Sequence, residues 1–556
     1  MDRDKIVKRY NALMAVRDKK IPKWKKLTEF ILPEYGFYPG QDWDAEPDYS
    51  KIIDNAATEA AAIVADGLYS GITPPDRAWF KLTHKSRPDL DTNHYVQLWL
   101  NDCVQRILKV LTSSNAYDGL YHIYNECPTF GNSAVAVLED INDVVNLQAY
   151  MVGEYSLAID SKGNINSLAR CFEFTVEQIV SEFGLNNVSQ EIQWQYTNND
   201  LDKRHTIYNI IQPNYEKIEG VYDRRGKPYL SYYWLSGKNI DNEGFLAIRG
   251  FREFPVMTPR WKKLTTRHIY AVGNGHKTLN YVKSLQRLQK DSHIGVEKGV
   301  NPPVQINSSS RLSGINVMPG GQSYVPFAGS AGGIKTVYDV NLNVESVEYK
   351  IASTRDLIHK SYRSNLFLMI AGAGKDMTAR EVAALKGEQL LQLGPLLQNL
   401  TRECPRFLIN RVFNLMLEGG LFAPVPRELE GVELDIEYLG LLAQAQKIAE
   451  LNILGQATSF AGGVIGINPE ISNIVNWEET VRKYYDMAGA MPELLNSREE
   501  VAAMNKAKAR AAQQQQEIAL LGGAIDKAKT LSDTDTSKPN ALTDIVGVSP
   551  NRAAAQ

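Results

Sequence analysis

Residues 370–384 read IAGAGKDMTAREVAA, and their glycines and lysine give this stretch the look of a phosphate-binding loop. A P-loop requires the pattern G-x-x-x-x-G-K-[ST], because backbone N–H groups hold the phosphates and the final hydroxyl binds a magnesium ion. With Gly374 and Lys375 as the G-K pair, Met369 occupies the first glycine position and Asp376 the hydroxyl position. A carboxylate at that position would repel phosphate, so the pattern argues against a nucleotide site.

The same stretch fits a loop between two helices. Thr378 and Glu381 have the spacing of a capping box, which is typical of a helix start. The Ala-Gly-Ala-Gly run before them allows backbone conformations that other residues avoid. We therefore interpret residues 370–377 as a flexible link whose tip carries one lysine and one aspartate.

Other patterns of catalytic or metal-binding residues are not found in the sequence. The eight histidines never occur as H-E-x-x-H, and there is no G-x-S-x-G motif. Three acidic residues cluster at the end of a strand-like run, where carboxylates can bind metal: Glu139, Asp140 and Asp143. We favour a solvated turn there, and the sequence predicts no catalytic residue, no metal site and no cofactor.

Two segments combine basic and aromatic residues, KKIPKWKK at 19–26 and PRWKKLTTRH at 259–268. Either segment can contact phosphates through its charges. Either can equally be a solvated helix or strand end with one buried tryptophan, which is the interpretation we favour.

The composition is that of a large soluble protein with a substantial core. The chain has 556 residues, 44% of them hydrophobic, and a formal net charge of −3, which does not indicate a strong binder of nucleic acid or membrane surfaces. The N-terminus lacks the apolar segment of a signal peptide, and no apolar run reaches the length of a membrane helix. The four cysteines are widely spaced, which favours reduced thiols in a protein made in the cytoplasm.

Hydrophobic periodicity predicts which elements position these segments. In the N-terminal half we expect helices at about 3–32, 55–70, 92–112 and 115–127, followed by a mainly β region over 133–260. Further on we expect a helix at 276–299, a small β-type insertion at 301–342 and a helix at 344–368 that Asn343 caps. After the 370–377 loop we expect a long helix at 378–418 broken near Pro395 and Pro405, a strand within 419–440, helices at 441–455, 477–488 and 498–521, and a polar tail from 530.

Several blocks, in this order along the chain, resemble one protein family. They are GLYSGITPPDRAWFKL (67–82), NAYDGLYHIYNECPTFGNSAVAVLED (115–140), FREFPVMTPRW (251–261), YAVGNGHKTLNYVKSLQ (270–286) with NPPV, and MTAREVAALKGEQLLQLGPLLQNL (377–400). The chain resembles the portal, or head-to-tail connector, proteins of short-tailed bacteriophages. The similarity extends over residues 5–455, and the segment beyond 490 carries no signature.

The resemblance implies an α+β subunit that assembles into a closed ring of about twelve copies. The implied divisions are 1–275 wing, with a helical N-terminal part and a mainly β part, 276–300 stem helix, 301–342 clip, 343–369 stem helix, 370–377 channel loop, 378–440 long kinked wing helix and following strand, 441–530 mainly helical crown, and 531–556 C-terminal tail.

The resemblance also implies the function. Such a ring occupies one capsid vertex of the virion, and double-stranded DNA passes through it without sequence specificity during packaging and ejection. The implied partners are the terminase large subunit, a tail adaptor protein, and the major capsid and scaffolding proteins; no membrane is involved. The implied channel-loop residues are Ala371, Gly372, Ala373, Gly374, Lys375 and Asp376, and the candidate DNA-facing stem residues are Arg355, His359, Lys360 and Arg363.

Two other classes of protein remain as alternatives. A packaging-motor ATPase or a nuclease would need the phosphate loop or the metal-binding carboxylates that the sequence lacks. A tail adaptor or another virion structural protein needs neither, but the order of stem, clip, loop and long helix has no role in an adaptor.

Overall fold

A computed structural model shows a mixed α and β chain. It describes residues 2–41, 45–84, 93–235, 244–307, 316, 318–325, 335–337, 343–372, 394, 397–439, 453–465, 474–488, 495–496 and 498–532. The α+β class predicted from the sequence is confirmed. None of the described helices is both long enough and apolar enough to span a membrane.

Five helices form most of the N-terminal part: α1 (Arg3–Asp18), α2 (Ile21–Phe30), α3 (Ala56–Ile72), α4 (His94–Ser113) and α5 (Ala116–Phe130). The single helix expected at 3–32 is two helices, because Pro22 lacks an N–H group and is accommodated in the first turn of α2. Helix α5 continues through Pro128 to Gly131, whose φ of 92° ends the helix in the left-handed conformation.

The β region contains an antiparallel meander. Its strands, in spatial order, are β4 (Tyr155–Ile159), β5 (Ile165–Thr175), β6 (Arg204–Pro213), β7 (Tyr229–Leu235) and β8 (Ala247–Phe251). A second sheet pairs β2 (Ala134–Asp140) with β3 (Val144–Tyr150) and β9 (Val256–Met257). Strand β1 (Phe80–His84) pairs with β13 (Leu434–Tyr438), so Phe80 lies opposite Tyr438 across more than half the chain.

Two short helices inside this region were missed: α6 (Val176–Phe183) and α7 (Gln190–Thr197). A signal for the first was present, because Thr175 and Gln178 form a complete capping box in the structure. Val176, Ile179 and Phe183 also follow the helical spacing, and all three are buried.

The middle of the chain contains two long helices with a small sheet between them. Helix α8 (Asn274–Val300) agrees with the expected 276–299, and Asn343 caps α9 (Val344–Tyr362) by accepting a 3.0 Å hydrogen bond from the Ser346 amide. The expected β insertion is present as β10 (Val304–Asn307), β11 (Gln322–Val325) and β12 (Lys335–Thr336), with β10 parallel to β11 and antiparallel to β12.

The predicted helix at 344–368 is instead two helices, since α9 ends at Tyr362 and α10 covers Ser364–Gly372. Farther on, residues 397–403 are helical and a new helix begins at Pro405 (Pro405–Glu418), where a break was expected. The start of the predicted 378–418 helix lies outside the described residues.

The C-terminal part is helical at 453–465, at Trp477–Ala488 and at Arg498–Ser532. The last of these continues through Gly522 and Gly523, where we expected it to stop. Two glycines weaken a helix by about 1 kcal/mol each without forcing it to end. Residues 440–452, where most of one expected helix falls, and the tail from 533 lie outside the described residues.

Among the residues that the structure describes, three groups of buried side chains form the core. The largest joins α2–α5, β1–β3, α8, α9 and the helix Pro405–Glu418; a second lies between α1 and the meander; a third lies under α6 and α7. Because α8 and α9 contribute to the largest group, one end of this helix pair is anchored in the main core.

Candidate functional site

Helices α8 and α9 run antiparallel, since the start of one contacts the end of the other. The Thr278 and Ser361 hydroxyls are 3.0 Å apart, and the Asn274 amide donates to the carbonyl of Tyr362 at 3.0 Å. Apolar residues at spacings of three or seven positions place one buried stripe on each helix. These buried residues are Leu279, Val282 and Leu285 on α8, and Ile351 and Ile358 on α9.

The Asn274 side chain forms two hydrogen bonds at the end of the α8–α9 pair where α8 begins and α9 ends. This side chain is buried and accepts a 3.1 Å hydrogen bond from the Trp261 indole while it donates to the Tyr362 carbonyl. The Tyr362 hydroxyl in turn lies 3.2 Å from the Thr129 hydroxyl on α5. One asparagine therefore joins the loop before α8, the start of α8 and the end of α9.

The chain bends sharply at Arg363. This residue has φ 64° and ψ 20°, a left-handed conformation that a continuous right-handed helix cannot contain and that costs about 1–3 kcal/mol in a residue other than glycine. The bend is stabilised by Ser364, whose buried hydroxyl lies 2.9 Å from His359 Nδ1 and donates to the His359 carbonyl at 3.2 Å. This conformation is the reason that α9 and α10 are separate helices.

Helix α10 is held against α3 by a close contact between Phe367 and Gly67. A Cβ atom at position 67 would lie 2.2 Å from Phe367 Cδ1, so only glycine allows the phenyl ring to approach this closely. The contact fixes the position of α10 against α3.

Asp54 links the loop before α3 to both long helices. Its buried carboxylate accepts hydrogen bonds from Gln289 on α8 (2.9 Å), from Arg355 on α9 (2.8 and 2.9 Å) and from the Ala56 amide (2.9 Å). Burial opposes the ionisation of Asp54, but these donors outweigh it and hold its pKa below the ordinary value. The side chains surround a polar cavity of about 300 Å³ that Glu59 and His359 also line.

The four candidate DNA-facing residues all lie on the last two turns of α9 or at the bend, and their charges are not equally available. Arg355 is paired with Asp54, and Lys360 is paired with Asp356 at 2.6 Å, as the i,i+4 spacing predicts. His359 is bonded to Ser364, and Arg363 forms the bend with its side chain exposed.

Of the six implied channel-loop residues, Ala371 and Gly372 belong to the end of α10. Residues 370–372, where we expected the loop to begin, are helical instead, because the helix that starts at Ser364 continues to Gly372. Residues 373–376 lie outside the described residues, as does the capping box at 378–381.

The basic segment at 19–26 agrees with the interpretation we favoured. Trp24 is buried against Tyr270, with ring centroids 5.1 Å apart, and the surrounding lysines are exposed. In the segment at 259–268, Trp261 is buried, and so is Arg260, whose guanidinium contacts the Glu403 carboxylate at 2.8 Å.

The three clustered acids form the solvated turn that we expected. The Asp140 carboxylate accepts hydrogen bonds from the backbone amides of Asn142 (2.8 Å) and Asp143 (3.0 Å), which lower its pKa. Within the part of the chain that the structure describes, no three His, Cys, Asp or Glu side chains are placed to hold a metal ion.

Buried ion pairs are the features that the sequence analysis missed. Arg170 contacts Glu154 at 3.1 Å, and its guanidinium lies 3.9 Å from the Tyr150 ring centroid and 4.0 Å from that of Phe172. The alternation of β5 gives a signal, since Leu168, Arg170 and Phe172 share one buried face. The Arg260–Glu403 pair joins residues 143 positions apart, and no local pattern reveals it.

Comparison with known proteins gives a consistent family. Residues 3–495 match the sequence model described as bacteriophage head to tail connecting protein. The chain is 34% identical over 546 residues to a probable portal protein of Bordetella phage BPP-1 and 33% identical over 549 residues to a portal protein of Salmonella phage epsilon15. Each alignment covers 98% of both proteins, so the similarity is not confined to one domain.

Among solved structures, the chain is loosely similar to a chain in the virion of a native gene transfer agent particle and to one in the neck of an empty particle. The TM-scores are 0.36 and 0.35 at 9% identity, with 76% and 74% of this chain and 92% and 91% of the other chains covered. Similarity at this level supports no further conclusion. The family match over residues 3–495 and the two full-length relatives confirm the resemblance, and the chain belongs to the bacteriophage head-to-tail connecting protein family.

Proposed function

We propose that this protein is the portal of a bacteriophage virion, a non-enzymatic ring through which double-stranded DNA enters and leaves the capsid. The observation that carries the proposal is the full-length similarity to two proteins named as portals. The antiparallel α8–α9 pair supports it, because a long helix pair anchored at one end is suited to lining a channel.

Within this proposal, α8 and α9 are the stem and the β10–β11–β12 sheet belongs to the clip. The wing consists of the elements up to residue 275 together with residues 378–440, and the crown consists of the helices within 441–530. The stem ends at Tyr362 and not at residue 369, since the bend at Arg363 turns the chain from the α8–α9 pair toward α3.

The channel loop of this proposal is formed by the residues around Lys375 and Asp376. Ala371 and Gly372, at the end of α10, attach it to the wing through the Phe367–Gly67 contact. Arg355, His359, Lys360 and Arg363 face the channel side of the stem. The carboxylates of Asp54 and Asp356 neutralise two of these cations, so their attraction for phosphate is weak.

The charge of the chain suits a channel along which DNA must slide. A ring of about twelve chains of net charge −3 has a formal charge of about −36, which disfavours tight adhesion to DNA. Each phosphate that a basic residue neutralises adds affinity through counterion release, so a channel with many free cations would resist translocation.

The partners of the proposed ring are the terminase large subunit, a tail adaptor protein, and the major capsid and scaffolding proteins. We place the mature protein at the head–tail connection of the virion and its synthesis in the host cytoplasm. The ring is formed by heterologous contacts, in which one face of each copy meets a different face of the next.

Electron microscopy of the purified full-length protein tests the proposal. We expect negatively stained particles to be rings with a central opening, and the same preparation to hydrolyse no ATP above the background of a mock purification. If the purified protein is found only as single chains, the portal assignment is contradicted. If the preparation hydrolyses ATP, a motor subunit is favoured instead.

A further inference from the structure

Four tyrosines form one half-buried to exposed surface on α3, α5 and the segment that follows α2. They are Tyr35, Tyr69, Tyr117 and Tyr121, and we call this surface the tyrosine face. The Tyr69 ring lies edge-on to those of Tyr121 and Tyr117, with centroids 5.6 and 6.3 Å apart. The Tyr35 ring packs on His122, the neighbour of Tyr121 in α5, at a centroid distance of 5.3 Å. The four rings are therefore held together as one surface.

Three exposed carboxylates lie beside the tyrosine face: Glu34, Asp66 and Asp118. The Tyr121 hydroxyl donates a 3.0 Å hydrogen bond to Asp66. Burial, the Asp66 carboxylate and the Glu34 carboxylate all raise the pKa of Tyr121. Burial and the charge of Asp118 raise the pKa of Tyr69 in the same way. These shifts show that the negative charges act directly on the tyrosines.

No cation of the chain neutralises these three carboxylates within the residues that the structure describes. The partner of Glu34 is the neutral Tyr49 hydroxyl, which donates at 2.5 Å, whereas nearby Glu29 is paired with Lys51 at 2.9 Å. The faces of aromatic rings attract cations, and tyrosine is enriched in interfaces between proteins. The tyrosine face is therefore suited to the lysine or arginine side chains of a partner.

The same chain carries a surface of the opposite charge at residues 19–26, which we call the lysine segment. Trp24 packs against Tyr270 in the core and Leu27 is buried, so the remaining side chains of α2 are turned outward. The lysines of this segment are all exposed, and none forms a salt bridge within the described part of the chain: Lys19, Lys20, Lys23, Lys25 and Lys26.

We propose that the tyrosine face of one copy binds the lysine segment of the next copy around the ring. This inference rests on the proposed portal function, which requires a ring, and it names two surfaces that meet in it. A ring closed by heterologous contacts needs two different surfaces on every copy that fit each other. Opposite charges on the two surfaces favour the correct pairing and oppose contacts between identical surfaces.

The test begins with a charge-reversed variant of the full-length protein. It carries Glu34→Lys, Asp66→Lys and Asp118→Lys, which make the tyrosine face positive. Like charges then meet at every contact between copies, so ring formation should need about tenfold more protein or a larger excess. Sedimentation velocity at decreasing protein concentration and about 0.15 M ionic strength measures this requirement, and negative staining identifies the rings.

A matched control applies the same change of charge to a different surface. Glu177, Asp200 and Asp202 lie near α6 and α7, are exposed, and form no salt bridge within the described residues. The variant Glu177→Lys, Asp200→Lys and Asp202→Lys should form rings at the same protein concentration as the unmodified chain.

A second reversed variant identifies what the tyrosine face binds. It carries Lys19→Glu, Lys25→Glu and Lys26→Glu and should by itself also fail to form rings at the concentration that suffices for the unmodified chain. In an equal mixture of the two reversed variants, alternating copies bring opposite charges together at every contact, and a ring with an even number of copies can close. The mixture should therefore form rings, and so should a single chain with all six changes.

The possible outcomes separate the inference from the proposed function. If the unmodified chain forms rings and the first variant does so equally well, the inference is wrong and the portal assignment stands. If each reversed variant fails alone and their mixture fails as well, the tyrosine face binds another surface or another partner, which also overturns the inference. If the unmodified chain forms no rings, the proposed function itself fails.

A milder variant covers the case in which circular dichroism shows that the first reversed variant does not fold. Glu34→Gln, Asp66→Asn and Asp118→Asn remove the charges and keep side chains that can accept hydrogen bonds. Because attraction is lost without new repulsion, we expect ring formation to need a few times more protein, and unchanged ring formation would overturn the inference.

Discussion

At the Asn274 end of the α8–α9 pair, side chains of both helices are buried and hydrogen-bonded, whereas at the Val300 end apolar side chains lie in the open. Val282 and Ile358 have no exposed surface, but Tyr349 and Val300 are 77% and 82% exposed. A single copy of the chain therefore supplies the packing for one end only. In the proposed ring we expect neighbouring copies to cover the Val300 end. The Asn274 end would then depend on folding of the single chain and the Val300 end on assembly.

The largest effect is expected at the anchored end. Ile358→Ala removes a fully buried side chain and should lower the free energy of unfolding by about 2–5 kcal/mol, because it leaves a cavity between the helices. Leu357→Ala is the matched control, since its side chain is 43% exposed on the same turn. Denaturant unfolding measures both, and equal losses would show that α9 is not anchored as described.

A pH-dependent effect is expected at His276. Its pKa of about 4 in the folded chain lies below the ordinary value of 6.5, so between these values the unfolded state binds more protons. Stability should fall as the pH drops through this window, by at most about 1.4 kcal/mol per pH unit from this group. His276→Gln keeps a side chain that can accept a hydrogen bond from the Gly273 amide, as His276 Nδ1 does at 3.3 Å, and should reduce the pH dependence. Denaturant unfolding of both proteins at several pH values measures this dependence. If the free energy of unfolding changes with pH equally in both, His276 is not responsible.

Two glycine-to-alanine substitutions compare the thermal stability of the Asn274 end and the Val300 end of the α8–α9 pair. Gly67→Ala should destabilise the protein by about 1–3 kcal/mol, because the new methyl group collides with Phe367. Gly299→Ala near the end of α8 meets no atom within 4 Å and should stabilise the helix by up to about 1 kcal/mol. Thermal unfolding of the two variants should therefore shift in opposite directions, and a shift of the same sign would contradict the difference between the ends.

The smallest effect on stability is expected at the exposed end. Tyr349→Ser and Val300→Ser should change the free energy of unfolding of a single chain by no more than about 0.5 kcal/mol, because both side chains are largely exposed. They should nevertheless weaken ring formation, measured by sedimentation at decreasing protein concentration. Normal assembly of both variants would mean that this end is not an interface between copies.

The regular elements were predictable where a periodic pattern had clear ends. Helix α8 was found within two residues because its apolar positions repeat at helical spacing and Asn-Pro-Pro follows it. The bend at Arg363 was not predictable, since arginine rarely adopts a left-handed conformation. Hydrogen bonds of Asn274 and Ser364 stabilise that conformation in the folded chain.

The helix that carries the candidate residues was predictable from the sequence, but the charge pairing of those residues was not. The resemblance implied the basic residues at the end of α9, and the i,i+4 spacing of Asp356 and Lys360 is that of the ion pair that the structure shows. Neither the resemblance nor the spacing revealed that Asp54, which is 301 positions away, neutralises Arg355, or that Lys262 and Lys277 lie beside Arg363. Such pairings depend on long-range contacts, which a single sequence does not encode in any local pattern.

Helix α3 contacts two different helices, α9 through Asp54 just before its start and α10 through Gly67 near its end. Helix α3 therefore connects the α8–α9 pair to α10. Because α3 contacts both α9 and α10, we expect a tilt of α8 and α9 to displace α10 as well.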